Sequence, residues 1–319
     1  MKRFWKISLA LLVLLAILSI GAVLMIGNQI FQGITNLTTN KDTSLESSYR
    51  FFEKIEFDLK AFETAYTVTS IAIPSTHSDH EIPASWISSD GDHARDTVVM
   101  VHGLGGNRLT VFPVAEMFLR NGFNVIAYDQ RSSGENTAPY NTFGYLEKND
   151  LADVVDYVIS QAAEPIQIGV WGVSFGGATV GLYLGSDASK GKLAFAVLDS
   201  PVSDGKEMTE MGLQQIDMGG LPVPFALQLG NLMLKQKLGF DFDDVNVPAQ
   251  IAQADDIPIL IVTSELDTVT PPHMGQDIFT AIQGNRKLML TVADSEHADV
   301  FFDYPDLYEE KIHELIALE

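Results

Sequence analysis

The run Gly172-Val173-Ser174-Phe175-Gly176 constrains this chain more than any other stretch, because of what flanks it. Ile166 to Trp171 reads as a short buried strand, and Gly177 to Leu184 as a helix of small residues. A G-x-S-x-G run at a strand-to-helix junction holds a serine hydroxyl on a tight turn. Glycine is needed there because strand and helix backbones approach too closely for Cβ atoms. The start of the helix also leaves N–H groups free to face a developing oxyanion. Glycine and serine are common in loops, so the pentapeptide gains its meaning from the rest of the chain.

That remainder alternates strand-like and helix-like segments, the pattern of a mostly parallel sheet covered by helices. Strands are expected at Ala65 to Ile73, Ala84 to Ser88, Thr97 to Val101, Asn124 to Tyr128, Ala194 to Leu198, Pro258 to Thr263 and Lys287 to Val292, besides the one before Ser174. Helices are expected at Leu109 to Arg120, Leu146 to Gln161, Met274 to Gln283 and Tyr304 to Leu318. Leu151, Val154, Val155 and Val158 give the second of these one apolar face. The expectation is an α/β architecture with eight strands.

Between Leu198 and Pro258 lies an insertion, about Val202 to Asp256, too long for an αβ loop of ~2–6 residues. Its Met, Leu and Phe content suits a helical hairpin over the carboxyl edge of the sheet. Two readings stand: an extra packed helix pair, or a cap that shapes a substrate pocket with Met211 and Phe225 facing it.

The first residues have a separate character. Lys2, Arg3 and Lys6 precede Ile7 to Gly27, which carries no charge. A bilayer-crossing helix needs ~20 apolar residues, whereas the apolar part of a cleaved secretory signal is ~7–15 long and ends at a small-x-small site. A retained signal-anchor over residues 1–27 is the expectation. The basic flank keeps the amino terminus cytoplasmic and the body, residues 65–319, outside. Residues 28–64 read as a juxtamembrane connector, with an amphipathic helix over Tyr49 to Phe62. The chain has 319 residues, no cysteine and a formal charge of −22, so disulfides and lipidated thiols are excluded. Nucleic acid is not an expected partner, because phosphate binding needs a basic surface.

A serine at neutral pH needs a base within hydrogen-bond reach, itself oriented by a carboxylate. Asp267 follows the strand ending at Thr263, and His297 follows the strand ending at Val292. Ser174, Asp267 and His297 thus occur in the chain order expected of a serine nucleophile on such a sheet. Glu265 and Asp199 are rivals for the acid. Among the seven histidines, His77, His80, His93, His273 and His313 read as solvated, and His102 as buried and structural. His102-Gly103-Leu104-Gly105-Gly106 ends the strand expected beside the nucleophile's, so the Leu104 and Phe175 N–H groups form the expected oxyanion pair. The glycine-rich loop lacks the spacing of a nucleotide-binding turn.

From about residue 65 onward these motifs, with Tyr128-Asp129-Gln130-Arg131, Leu198-Asp199-Ser200-Pro201, Asp267 before Pro271-Pro272, and Glu296-His297, resemble the α/β-hydrolase superfamily. The chain looks closest to its membrane-anchored bacterial branch, with serine aminopeptidase-like and acylglycerol-lipase-like hydrolases. The resemblance implies a triad of Ser174, Asp267 and His297, and a structural role for Asp129 and Arg131 in pinning loops. Where the family often has Arg-Gly, this chain has Arg131-Ser132-Ser133-Gly134. The implied chemistry is acyl transfer to water on a small ester or acyl substrate, without metal or organic cofactor. The apolar insertion favours carboxylesterase or lipase activity. The alternatives are a peptidase using Glu207 or Glu210 to receive an amino group, and a non-catalytic binding protein on the same scaffold.

Overall fold

The computed structural model describes residues 2–91 and 95–318; His93 and the side chains of Lys2 and Arg3 lie outside the description. Among the described residues, eight strands run as β1 (Thr67–Pro74), β2 (Glu81–Ser88), β3 (Thr97–Val101), β4 (Asn124–Tyr128), β5 (Ile168–Val173), β6 (Phe195–Asp199), β7 (Ile259–Ser264) and β8 (Lys287–Val292). They form one sheet in the order β1-β2-β4-β3-β5-β6-β7-β8. β1 and β2 pair antiparallel, β2 meets β4 antiparallel, and β4 onward is parallel. The exchange of β3 and β4 places β3 beside β5, with Val101 opposite Gly172. The loop after β3 and the turn after β5 therefore leave the same edge side by side.

The described residues also form the helices α1 (Lys2–Thr35), α2 (Ser47–Lys54), α3 (Leu59–Ala65), α4 (Phe112–Arg120), α5 (Glu147–Gln161), α6 (Phe175–Leu184), α7 (Gly205–Gln214), α8 (Val223–Leu238), α9 (Val247–Ile251), α10 (Pro272–Ala281), α11 (Val300–Asp303) and α12 (Pro305–Ile316). The central strands β3, β4, β6 and β7 are buried on both faces, which alternate with the period of two. Val99 and Val101 of β3 join α5 and α6 in one core, while Val98 and Met100 join α4 and α12 in the other.

Three local differences from the sequence expectation have physical causes. The expected helix over Tyr49 to Phe62 is two short ones, interrupted where Glu56 takes φ 55° and Asp58 caps the Ala61 N–H at 3.0 Å. The helix expected from Leu109 begins as a 3₁₀ turn over Arg108–Val111, fixed by Asn107 accepting the Leu109 N–H. Most consequential, α1 does not stop at Gly27, where the expected anchor ends, but continues to Thr35. Its last turns pack against α8: a Cβ on Gly27 would lie 3.2 Å from Met233 Cγ, and one on Gly230 only 2.7 Å from Ile34 Cδ1. Beyond it the chain is tied down. Asn141 donates its backbone N–H to Thr35 O at 2.7 Å, and Asn40 Nδ2 donates to Asn136 O at 2.7 Å.

Candidate active site

β5 ends at Val173 and α6 begins at Phe175, leaving Ser174 between them at φ 57°, ψ −117°. A non-glycine residue there carries strain of order 1–3 kcal/mol, which the surroundings must hold. They do so by contact. A Cβ on Gly172 would lie 2.3 Å from the Gly176 oxygen, and one on Gly176 only 2.2 Å from the Val101 oxygen. The Ser174 N–H donates to Asp199 O at 2.8 Å and so carries the β5–β6 ladder into the turn.

Ser174 Oγ lies 3.0 Å from His297 Nε2, and His297 Nδ1 lies 2.7 Å from Asp267 Oδ2. An ionised carboxylate only accepts, so the Nδ1 proton points at Asp267 and Nε2 is left to accept from the serine hydroxyl. Asp267 is in turn fixed: Oδ1 accepts the N–H groups of Val269 and Thr270, both at 2.9 Å, and Oδ2 lies 2.9 Å from Thr270 Oγ1. Burial pushes its pKa up, but the His297 hydrogen bond and charge, with the Thr270 bonds, outweigh this and hold it below the ordinary carboxylate value. Thr270 was not singled out from the sequence. An aspartate followed three residues later by threonine is a turn signal that would have found it.

The rival acids are elsewhere. Glu265 is exposed. Asp199 is buried at the end of β6, where its carboxylate accepts from Tyr308 Oη at 2.8 Å and Ser200 Oγ at 3.1 Å. Burial pushes its pKa up to about 6, against those bonds.

On the other side of Ser174, the His102 loop turns through a Gly106 N–H to Gly103 O bond of 3.2 Å. Leu104 lies within that turn, and Phe175 opens α6, whose first N–H groups have no partner within the helix. His102 is buried. Its Nε2 accepts the Gln130 N–H at 3.0 Å, so Nδ1 carries the proton to Gly103 O at 2.7 Å. Burial pushes its pKa down, and both nitrogens are occupied, so it shapes the loop. Asp129 accepts the Arg108 and Glu135 N–H groups at 2.8 and 2.9 Å, and Arg131 pairs with Asp150 at 3.0 Å. These are loop-pinning contacts. His80 departs from the expectation of a solvated side chain: its ring is buried between Asp150, at 3.2 Å, and Ser78, at 2.9 Å. His273 and His313 are exposed, as is His77.

Two cavities flank the serine. The larger, about 950 Å³, is lined by Leu104 and Phe175, by Met208, Gly212 and Leu213 of α7, and by α1 from Ile26 to Ile34. The smaller, about 300 Å³, is lined by His297, Leu104, Phe51, Phe301 and Phe302. Of the two expected pocket residues, Met211 does not line the larger cavity. At ~100° per residue it lies well off the stripe formed by Met208, Thr209, Gly212 and Leu213. Phe225 is 41% exposed, in the turn of α8 after the lining residues Leu221 and Pro222. Glu207 bonds His273 at 2.8 Å on the surface, and neither it nor Glu210 lines either cavity. The contribution of α1 was invisible in the sequence.

The fold is shared with known proteins. A family profile described as "alpha/beta hydrolase fold" matches residues 96–218. The uncharacterized protein YqkD of Bacillus subtilis is 26% identical over 221 residues, 69% of this chain and 71% of that one. The quorum-quenching protein AidA of Acinetobacter baumannii is 31% identical over 153 residues, 46% of this chain and 45% of its own. Among solved structures, the esterase Pf2001 of Pyrococcus furiosus superposes with a TM-score of 0.63 at 20% identity, covering 82% of this chain and 95% of that one.

Proposed function

The chain has the α/β-hydrolase fold, and on that scaffold we propose that it is a serine hydrolase cleaving ester-like acyl bonds. The observation that carries this is the relay from Ser174 through His297 to Asp267, at 3.0 and 2.7 Å. His297 Nε2 takes the hydroxyl proton as Ser174 Oγ attacks the carbonyl carbon. The Leu104 and Phe175 N–H groups receive the oxyanion; one such donor contributes ~2.7–4 kcal/mol to the transition state. The carbonyl–oxygen bond to the leaving group then breaks, and the Nε2 proton goes to the departing alkoxide. Water repeats the sequence, giving its proton to His297 and returning it to Ser174 as the acid leaves. Asp267 holds the ring and stabilises its charged form.

The apolar lining of the larger cavity favours an apolar acyl group, hence a carboxylesterase or lipase over a peptidase. α1 is the one helix, among the described residues, long and apolar enough to cross a membrane. Residues 4–25 are exposed throughout and span roughly 33 Å at ~1.5 Å per residue, matching a bilayer core of ~30 Å. We read it as a retained anchor, with the body outside the cytoplasm. The deciding experiment is fluorophosphonate labelling with ester turnover: wild type labels at Ser174 and turns over, and Ser174→Ala does neither. Turnover above a few percent in Ser174→Ala, with contamination excluded, refutes the mechanism.

A further inference from the structure

The larger cavity has an unexpected wall. Ile26, Gln29, Ile30, Gly33 and Ile34 of α1 line it, and they recur at the i, i+3, i+4, i+7, i+8 spacing of one helical face. The opposite wall is α7 and the turn after it, through Met208, Gly212, Ile216 and Leu221. Leu104 and Phe175, whose amides are the proposed oxyanion donors, line the same space. At the other extreme, Ile26 adjoins Met25, the last residue of the fully exposed apolar span. The cavity therefore follows one helix from bilayer depth toward the nucleophile.

Its surroundings agree. Among the described residues eight large apolar side chains outside the exposed span of α1 are exposed, and four of them, Leu37 at 46%, Ile216 at 58%, Phe225 at 41% and Leu232 at 55%, lie on the exit of α1 or the insertion. Apolar groups gathered in this way mark contact with something other than water. Lys237, on the last turn of α8, reaches Asn28 at 2.5 Å and lies over the Phe31 ring at 4.5 Å, a cation at the level where α1 leaves the body. The volume, about 950 Å³, is at the upper end of the ~300–1,000 Å³ usual for small-molecule sites.

We propose that the anchor helix is part of the substrate site: the cavity between α1 and α7 takes the acyl chain of a long-chain ester dissolved in the bilayer. The chain slides in alongside Ile26, and its carbonyl comes to the Leu104 and Phe175 amides. This rests on the reading of Ser174 as a hydrolytic nucleophile. It makes α1 a specificity element as well as a tether, and it gives the insertion a second wall to work against.

Gly33 and Gly212 allow a direct test, because each lines the cavity and a Cβ on either meets nothing within 4 Å. The full chain is placed in nanodiscs of ether-linked phospholipid, so that the probe is the only ester present. The probes are the palmitoyl and acetyl esters of one chromogenic phenol, with fluorophosphonate labelling of Ser174 measured alongside. Wild type should favour the palmitoyl ester, with a rate that follows its mole fraction in the disc. Gly33→Phe and Gly212→Phe should each lower the palmitoyl-to-acetyl ratio roughly tenfold or more. Gly21→Phe, in the exposed span, should leave the ratio unchanged. An unchanged ratio in labelled Gly33→Phe and Gly212→Phe overturns the inference. So does acetyl preference in wild type, or a palmitoyl rate set by bulk concentration. No labelling of wild-type Ser174 and no turnover of either ester overturns the hydrolase reading itself, and the inference with it.

Discussion

Asp199→Asn separates the buried carboxylates by their response to pH. In the folded protein Asp199 is enclosed, and burial raises its pKa to about 6, against the hydrogen bonds of Tyr308 and Ser200. Unfolded, it returns to ~3.9. A carboxyl whose folded pKa is the higher one binds its proton more tightly when folded. Its contribution to stability is full below the unfolded value and is lost as pH rises through about 6. A displacement of roughly two units corresponds to about 3 kcal/mol at ~1.4 kcal/mol per unit. Asparagine keeps the shape without the charge: Oδ1 can accept from Tyr308, and Nδ2 can donate to the Ser200 hydroxyl once that hydroxyl rotates. The variant should therefore gain stability relative to wild type as pH rises, by about 2 kcal/mol between roughly pH 4.5 and 7.5. Urea unfolding of both full-length proteins in detergent, at several pH values, reads this difference. A difference that stays flat with pH, or that has the opposite slope, refutes the account of Asp199 as a carboxyl that is costly to ionise.

Asp267→Asn should cut ester turnover by about 10⁴-fold, through the wrong His297 tautomer, while Asp199→Asn stays within several-fold of wild type; the reverse ranking in steady-state assays moves the acid to β6. Gly176→Ala should cost at least ~1–3 kcal/mol, since its Cβ would sit 2.2 Å from the Val101 oxygen. An unchanged melting temperature together with normal fluorophosphonate labelling would show that the turn tolerates a side chain. Protease added to intact spheroplasts should digest the body, and the mature protein should retain its amino-terminal span; a shorter, freely soluble mature form would make that span a cleaved signal.

The parts of the fold that depend on short spacing are legible in the residues themselves. β3, β4 and β8 coincide with the segments expected from their apolar runs, because a strand's signal lies within its own residues. The G-x-S-x-G turn was equally legible: its glycines meet Gly176 and Val101 atoms that any strand-to-helix turn at this point would bring close. The order Ser174, Asp267, His297 was readable because each follows a recognisable strand. Their meeting was expected only through the family resemblance, since Ser174 and His297 are 123 residues apart and the parallel sheet is what aligns their loops. Three further features depend on residues that lie far apart in the chain. His80 is enclosed because Asp150 and Ser78 close on it, where its own neighbours in the chain read as an open polar loop. Met211 turns away from the cavity because the packing of α7 fixes the helix's rotation, and composition carries no rotation. α1 continues to Thr35 and forms a wall because α8, some two hundred residues later, offers Gly230 and Met233 to its last turns. A hydropathy pattern records how apolar a segment is; which surface covers it depends on residues that the fold brings from elsewhere.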